Sequence, residues 1–260
     1  MNKAKMIMGI GIATGLMGSI MAPQASALVN GNYEDSNQIK SLTSISVEKS
    51  DSFENCSGVL LNNNWILTAS QCVQENVNNN NNVTNSMAFS SSSLSSDPQV
   101  NVSDPQVNIG ETVNEENVII TLQNSLGTNL NAVSDIRING DLAMLKLAHN
   151  GPNHSSPATM STEKIGTQNT KTKTYSWGGH KENPMYASGT TSLNNDSKIT
   201  TTFSNNEKFE SRDVGAPLFS QNKLIGIQTG KTTTNSYGED VISGTTVYHN
   251  YNWIKGTTAK

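Results

Sequence analysis

An all-β fold built from short antiparallel strands is predicted by three observations. Apolar runs are brief and separated by polar turns, as in Val59 to Leu61 and Trp65 to Thr68 flanking Asn62-Asn63-Asn64, the pattern of a hairpin. No long helical periodicity alternates with these runs, which excludes a parallel α/β sheet. The chain is poor in aromatic residues and rich in Asn, Ser and Thr, a composition suited to a loop-rich extracellular β protein.

In chain order, residues 1–27 come first and read as a secretory signal of bacterial style. Lys3 and Lys5 form a charged start, Met6 to Met21 an apolar stretch broken by glycines, and Ala25-Ser26-Ala27 a small-residue cleavage site. The apolar stretch is too short and glycine-broken to make a membrane span the preferred reading. Cleavage leaves 260 − 27 = 233 residues, enough for one two-lobed protein. After the first hairpin, 74–108 is an Asn- and Ser-rich stretch that buries little and reads as a surface insertion. Its carboxylates, Glu75 and Asp97 the nearest, are too few for a calcium site. Further strands are expected over Val118–Leu122, Leu142–Leu147, Lys171–Trp177, Lys198–Phe203, Leu224–Thr229 and Ile242–Tyr248. A single closing helix is expected over Tyr248–Lys255, with Tyr251, Trp253 and Ile254 packing back on the second lobe.

The mature segment carries 15 Lys and Arg against 21 Asp and Glu, a net charge of −6. An acidic surface argues against nucleic acid and anionic membranes as partners. Cys56 and Cys72, in a chain routed to an oxidising compartment, are expected to form one disulfide. Two cysteines without a nearby histidine make a poor metal site, and no cofactor is expected.

Seven segments, in order, resemble the trypsin-like serine endopeptidases. Leu28-Val-Asn-Gly31 looks like the start of the active chain, and Cys56 to Cys72 like the segment carrying the general-base histidine. Asp141-Leu-Ala-Met-Leu-Lys-Leu147 is similar to the strand of the triad aspartate. Tyr175-Ser-Trp177-Gly178 resembles the Gly-Trp-Gly turn, and Arg212-Asp-Val-Gly-Ala-Pro-Leu218 the Gly-Asp-Ser-Gly-Gly-Pro-Leu nucleophile motif. Leu224-Ile-Gly-Ile227 and Tyr251-Asn-Trp-Ile254 complete the series. The resemblance implies two packed antiparallel β-barrels (chymotrypsin-like) with a short C-terminal helix, one barrel in 28–150 and the other in 151–260.

The resemblance also implies that Gln71, Asp141 and Val214 occupy the triad positions. A glutamine amide neither gains nor loses a proton near neutral pH, and valine has no nucleophilic atom. Asp141 is then expected to accept a hydrogen bond from Gln71. Arg212 falls on the oxyanion-hole glycine, where a side chain changes the peptide orientation the hole requires. Lys208 falls at the base of the substrate pocket, with Lys231 and Ile242 in its walls; the alternative is that these are ordinary loop residues on a shifted alignment. Asp213 matches the aspartate that pairs with a freed N-terminal ammonium, here that of Leu28; the alternative is an exposed Asp213 and a frayed terminus. None of His149, His154, His180 and His249 lies in a matching motif. Ser70 and Ser211 flank the substituted positions and are expected to point away.

The function expected is that of a secreted, monomeric pseudoprotease that binds an unidentified protein partner instead of cutting. The alternatives are a serine endopeptidase or other hydrolase with a non-standard site, or a structural secreted protein without a specific ligand.

Overall fold

The computed structural model describes residues 28–33, 39–50, 52–75, 112–124, 127–150, 156–166, 169–177, 184–203, 207–230 and 232–259. The signal segment, most of the Asn- and Ser-rich insertion, Lys231, His154 and His180 lie outside these residues. The strands are β1 (Asn32–Tyr33), β2 (Leu42–Lys49), β3 (Ser52–Leu60), β4 (Trp65–Ala69), β5 (Val118–Asn124), β6 (Gly127–Asn139) and β7 (Leu142–Leu147), then β8 (Thr170–Ser176), β9 (Met185–Leu193), β10 (Lys198–Phe203), β11 (Pro217–Ser220), β12 (Lys223–Gln228), β13 (Thr233–Thr234) and β14 (Asp240–Thr246). One helix, α1, spans Val247–Thr258.

Strands β2, β3, β4, β7, β6 and β5 close a first antiparallel barrel. The β3–β4 hairpin turns where the sequence places it: Asn62 Oδ1 accepts from the amides of Asn64 and Trp65, the local bonding that makes Asn a turn residue. In β2, residues 43, 45 and 47 (Thr, Ile, Val) point inward in alternation, and the interior is filled by Ile45, Val59, Leu67, Ile120 and Leu142, all fully buried. Burying one such side chain is worth roughly 1.5–3 kcal/mol. The insertion leaves and re-enters this barrel through a bridge between Gln74 and Thr112, backed by the Val113 amide donating to the Val73 carbonyl at 3.0 Å.

The second barrel runs β9–β10–β14–β12–β11–β8, and pairing of β8 with β9 closes the ring. β1 adds to β9, and β13 to β14. The two barrels share one apolar cluster, in which Val214, Leu224 and Ile227 from the second half join Trp65 and Leu67 from the first.

α1 is set down on this shared cluster. Val247, Asn250, Ile254 and Thr257 recur at the three-to-four spacing of one helix face and are buried. Of the three expected contacts, Ile254 is buried and Trp253 packs half-buried against the cluster, whereas Tyr251 is only half-buried and Val247 is an anchor not foreseen. The helix also contacts the first barrel, where Asn139 Nδ2 donates to Asn250 Oδ1 at 3.1 Å. It begins at Val247 because β14 ends at Thr246, one residue after its pairing partners in β10.

Candidate functional site between the barrels

A cavity of about 280 Å³ opens where β3 meets the 3₁₀ turns Ser70–Val73 and Ser211–Asp213. Its wall includes Glu54, Gln71, Ser211, Arg212 and Val214. Two devices hold the turns in place. The Cys56–Cys72 disulfide ties β3 to the first turn, with Cα atoms 6.1 Å apart; closing a loop of that length is typically worth ~3 kcal/mol. Gly215 anchors the second turn. Its φ is +83°, and a Cβ there would sit 2.1 Å from the Ser57 carbonyl oxygen, so only glycine lets the turn approach β3 this closely.

The structure brings Gln71 and Val214 together in one wall but leaves Asp141 out of it. Gln71 is exposed; its backbone carbonyl accepts from Lys49 Nζ at 3.0 Å. Lys49 lies on the inward face of β2, its side chain 1% exposed, and its ammonium also pairs with Glu54 at 2.7 Å. Lys49 and Glu54 are site residues that sequence reading missed, because a lysine ending a polar strand carries no signal of burial. Ser211 contributes to the cavity wall, against the expectation that it points away; Ser70 does not.

The expected Gln71–Asp141 hydrogen bond is absent. Asp141 follows the β6–β7 turn, and its half-exposed carboxylate takes the Lys198 ammonium and a 3.0 Å bond from Thr245 Oγ1. A cation from the second barrel outcompetes a neutral amide for this carboxylate. Lys208, the residue expected at the pocket base, does not line the cavity described above. It bridges Val29 through its backbone, and its half-exposed ammonium pairs with Asp240 at 2.9 Å, which holds the Asp240 carboxyl below its usual range. Ile242 is fully buried among Leu28, Met185, Ala187, Phe209 and Ala216.

Behind the cavity, Asp213 is completely buried and its carboxylate accepts three bonds. The Leu28 and Glu210 backbone amides donate to Oδ2, each at 2.8 Å, and Ser176 Oγ donates to Oδ1 at 2.5 Å. Ser176 Oγ also lies 3.0 Å from Ser57 Oγ, which accepts from the Trp177 amide. Desolvation pushes the Asp213 carboxyl above its ordinary 3.8, and these neutral donors counter only part of that push. The Ser57–Ser176 link went unread in the sequence because two isolated serines give no periodic signal.

The chemistry open to the cavity follows from its groups: a guanidinium, the Ser211 hydroxyl, amides, a carboxylate already paired to Lys49, and hydrocarbon. The Val214 amide donates to the Ser211 carbonyl at 3.4 Å, closing the 3₁₀ turn. Among the described residues, no imidazole lies in the wall beside Ser211.

Two closed six-stranded barrels with a cavity at their junction define a chymotrypsin-like fold. The sequence model described as Trypsin matches residues 28–254, and the chain belongs to that family. No curated protein matches in sequence. Among solved structures, a mutant of human heparin binding protein superposes with a TM-score of 0.62 at 16% identity, covering 89% of this chain and 97% of that one. A structure titled HL collagenase gives 0.63 at 16% identity, covering 89% and 99%. A scabies mite inactivated protease paralogue gives 0.62 at 12% identity, covering 88% and 96%. No helix of the described residues is long and apolar enough to cross a membrane.

Proposed function

We propose that this chain is a secreted trypsin-family protein that binds a protein partner and does not cleave. The observation that carries this reading is the pair facing one cavity, Gln71 and Val214, at the positions the family resemblance assigns to base and nucleophile. Neither supplies a proton acceptor or an attacking atom. The engagement of Asp141 by Lys198 and of the Val214 amide by Ser211 supports it further, since orienting carboxylate and oxyanion donor are both occupied elsewhere. The scabies mite neighbour is described as an inactivated protease paralogue, which accords with this reading.

Signal cleavage after Ala27 frees the Leu28 ammonium in place. The Leu28 nitrogen already lies 2.8 Å from Asp213, and cleavage replaces a neutral amide donor there by a full positive charge. The test is a serine-reactive phosphonate with a broad peptide-substrate panel on purified mature protein. No heat-sensitive labelling and no turnover are expected; a trapped acyl adduct overturns the reading. The triple change Gln71→His, Val214→Ser and Arg212→Gly is expected to recover little cleavage, because Asp141 stays with Lys198. Brisk tryptic turnover by that variant would refute the account of the pocket.

A further inference from the structure

The outer face of the second barrel, where it meets residues 39–41 before β2 and the 156–159 connection, carries a second feature distinct from the first cavity. Two adjoining cavities of about 380 and 430 Å³ share Tyr175, Phe219 and Asn222 as a common wall. The strand alternation of β8 explains the lining: Thr172, Thr174 and Ser176 point inward and are buried, which turns Lys171, Lys173 and Tyr175 outward. Register then sets Phe219 of β11 beside Lys173 on one side and Ser188 of β9 on the other, with Tyr186 beside Tyr175. Tyr175 packs edge-on against Phe219 at 5.8 Å, and Lys173 Nζ lies over the Tyr186 ring at 4.3 Å. Lys40 lines the far end, next to the interbarrel segment at Pro157.

Charge distinguishes this groove in an acidic chain. No carboxylate lines either cavity. Among the described residues, six basic side chains have a carboxylate within 3.8 Å; Lys40, Lys171 and Lys173 have none, and while Lys146 and Lys255 also lack one, only in this groove do three such lysines line adjoining cavities. A cluster of cations left without internal counter-charge favours an external anion. Lys171 and Lys173 stand about 6.8 Å apart along the strand, twice the rise per residue, which is also the separation of alternate side chains in an extended peptide. A long polyanion would meet the acidic remainder of the surface; a short segment needs only the local match. We infer that this groove docks an extended acidic peptide segment of a partner protein, with carboxylates at alternate positions over Lys171 and Lys173 and an apolar residue beyond them on Tyr175 and Phe219. The inference is independent of whether the interbarrel cavity is catalytic.

The test uses the mature protein and a fluorescein-labelled peptide, Glu-Ala-Glu-Ala-Phe-Ala, read by fluorescence anisotropy. Saturable binding is expected, weakened roughly ten-fold or more by Lys171→Glu with Lys173→Glu and by raised salt. The permuted peptide Glu-Glu-Ala-Ala-Phe-Ala is expected to bind more weakly. In wild-type protein, a carbodiimide that joins touching carboxylates and amines is expected to link the peptide to Lys171, Lys173 or Lys40, as mapped by mass spectrometry. Equal affinity for wild type and the double variant, absence of binding, or links falling on other lysines overturns the inference. Tighter binding of a sulfated oligosaccharide or of single-stranded DNA at the same lysines overturns the assignment to a peptide.

Discussion

The two barrels share a topology but fill their interiors by different chemistry. The first is packed with hydrocarbon: Ile45, Val59, Leu67, Ile120 and Leu142 belong to one continuous cluster. The second has two small apolar clusters, one around Leu28, Phe209 and Ile242 and one of Ile199, Leu218 and Ile225. Buried hydroxyls and an amide occupy the interior as well. Thr191 Oγ1 lies 3.0 Å from Thr172 Oγ1 and 2.9 Å from Thr201 Oγ1, and Gln228 Nε2 donates to Thr174 and Thr201. Packing tolerates local slack, whereas a buried polar chain costs free energy wherever one member lacks its partner. The second barrel therefore depends on hydrogen bonding that is nearly complete, with Gln228 Oε1 the one member of this polar chain left without a partner, and the largest such dependence is at Asp213.

Asp213→Asn tests that dependence most severely. With a residue retained before Leu28, Asp213 is a buried carboxyl facing neutral donors, and its pKa is raised. A raised folded-state pKa means the folded chain holds the proton more tightly. The stability from this group is then full below the unfolded value near 3.8 and is lost as pH rises through the higher folded value. In the mature chain the freed ammonium favours the carboxylate and opposes this loss. Asp213→Asn in the mature chain is expected to cost about 3–5 kcal/mol, the typical cost of removing one partner of a buried pair. In the extended chain it should cost less near neutral pH and remove the acid-side gain. Urea unfolding of both forms at pH 4, 5 and 7 separates them; equal sensitivity would mean that the ammonium does not reach Asp213.

A matched pair of threonine changes sharpens the contrast between the interiors. Thr201→Val in the second barrel removes the hydroxyl linking Thr191 to Gln228, at an expected cost of about 1–2 kcal/mol. Thr43→Val in the first barrel removes a buried hydroxyl that has no partner, and it should be neutral or stabilising by up to ~1 kcal/mol. Both changes keep side-chain shape, so the unfolding midpoints compare polarity alone. If Thr43→Val is as costly as Thr201→Val, the two interiors do not differ in the way described.

What the sequence made legible follows the same division. In the first half, large apolar residues mark β4 and β7, and the expected Leu142–Leu147 strand has the observed bounds. β10 is as plain, since Ile199 and Phe203 bracket its threonines. β9 was not expected, because the inward residues after Met185 are Ala187, Gly189 and Thr191, which give no hydrophobic period. β2 was missed for a related reason: serines separate Ile45 from its neighbours. The contact of Leu28 with Asp213 was expected from motifs 185 residues apart, whereas Lys49 was not, since nothing local announces a buried lysine. The cost of burial is set by a partner, and partners distant in sequence leave no periodic trace.

Asp141 is the position where local reading failed through a distant partner, and it gives the smallest expected effect. Its carboxylate joins the first barrel to Lys198 and Thr245 of the second, yet both members of the ion pair are close to half exposed. Partial burial lowers the Lys198 pKa, which offsets part of what the pair contributes. Water screens the remainder, so Asp141→Asn should cost no more than ~1 kcal/mol. That cost should shrink with added salt, because screening weakens the wild-type ion pair and has no such pair to weaken in the variant. In an active member of the family, the same change removes the group that orients the catalytic imidazole and collapses turnover. Here it should leave any trace hydrolysis by the purified protein unaltered, because the carboxylate faces the other barrel and not Gln71. A drop in trace hydrolysis on Asp141→Asn, with stability preserved, would return this carboxylate to the cavity and break the assignment of its role as an interbarrel tether.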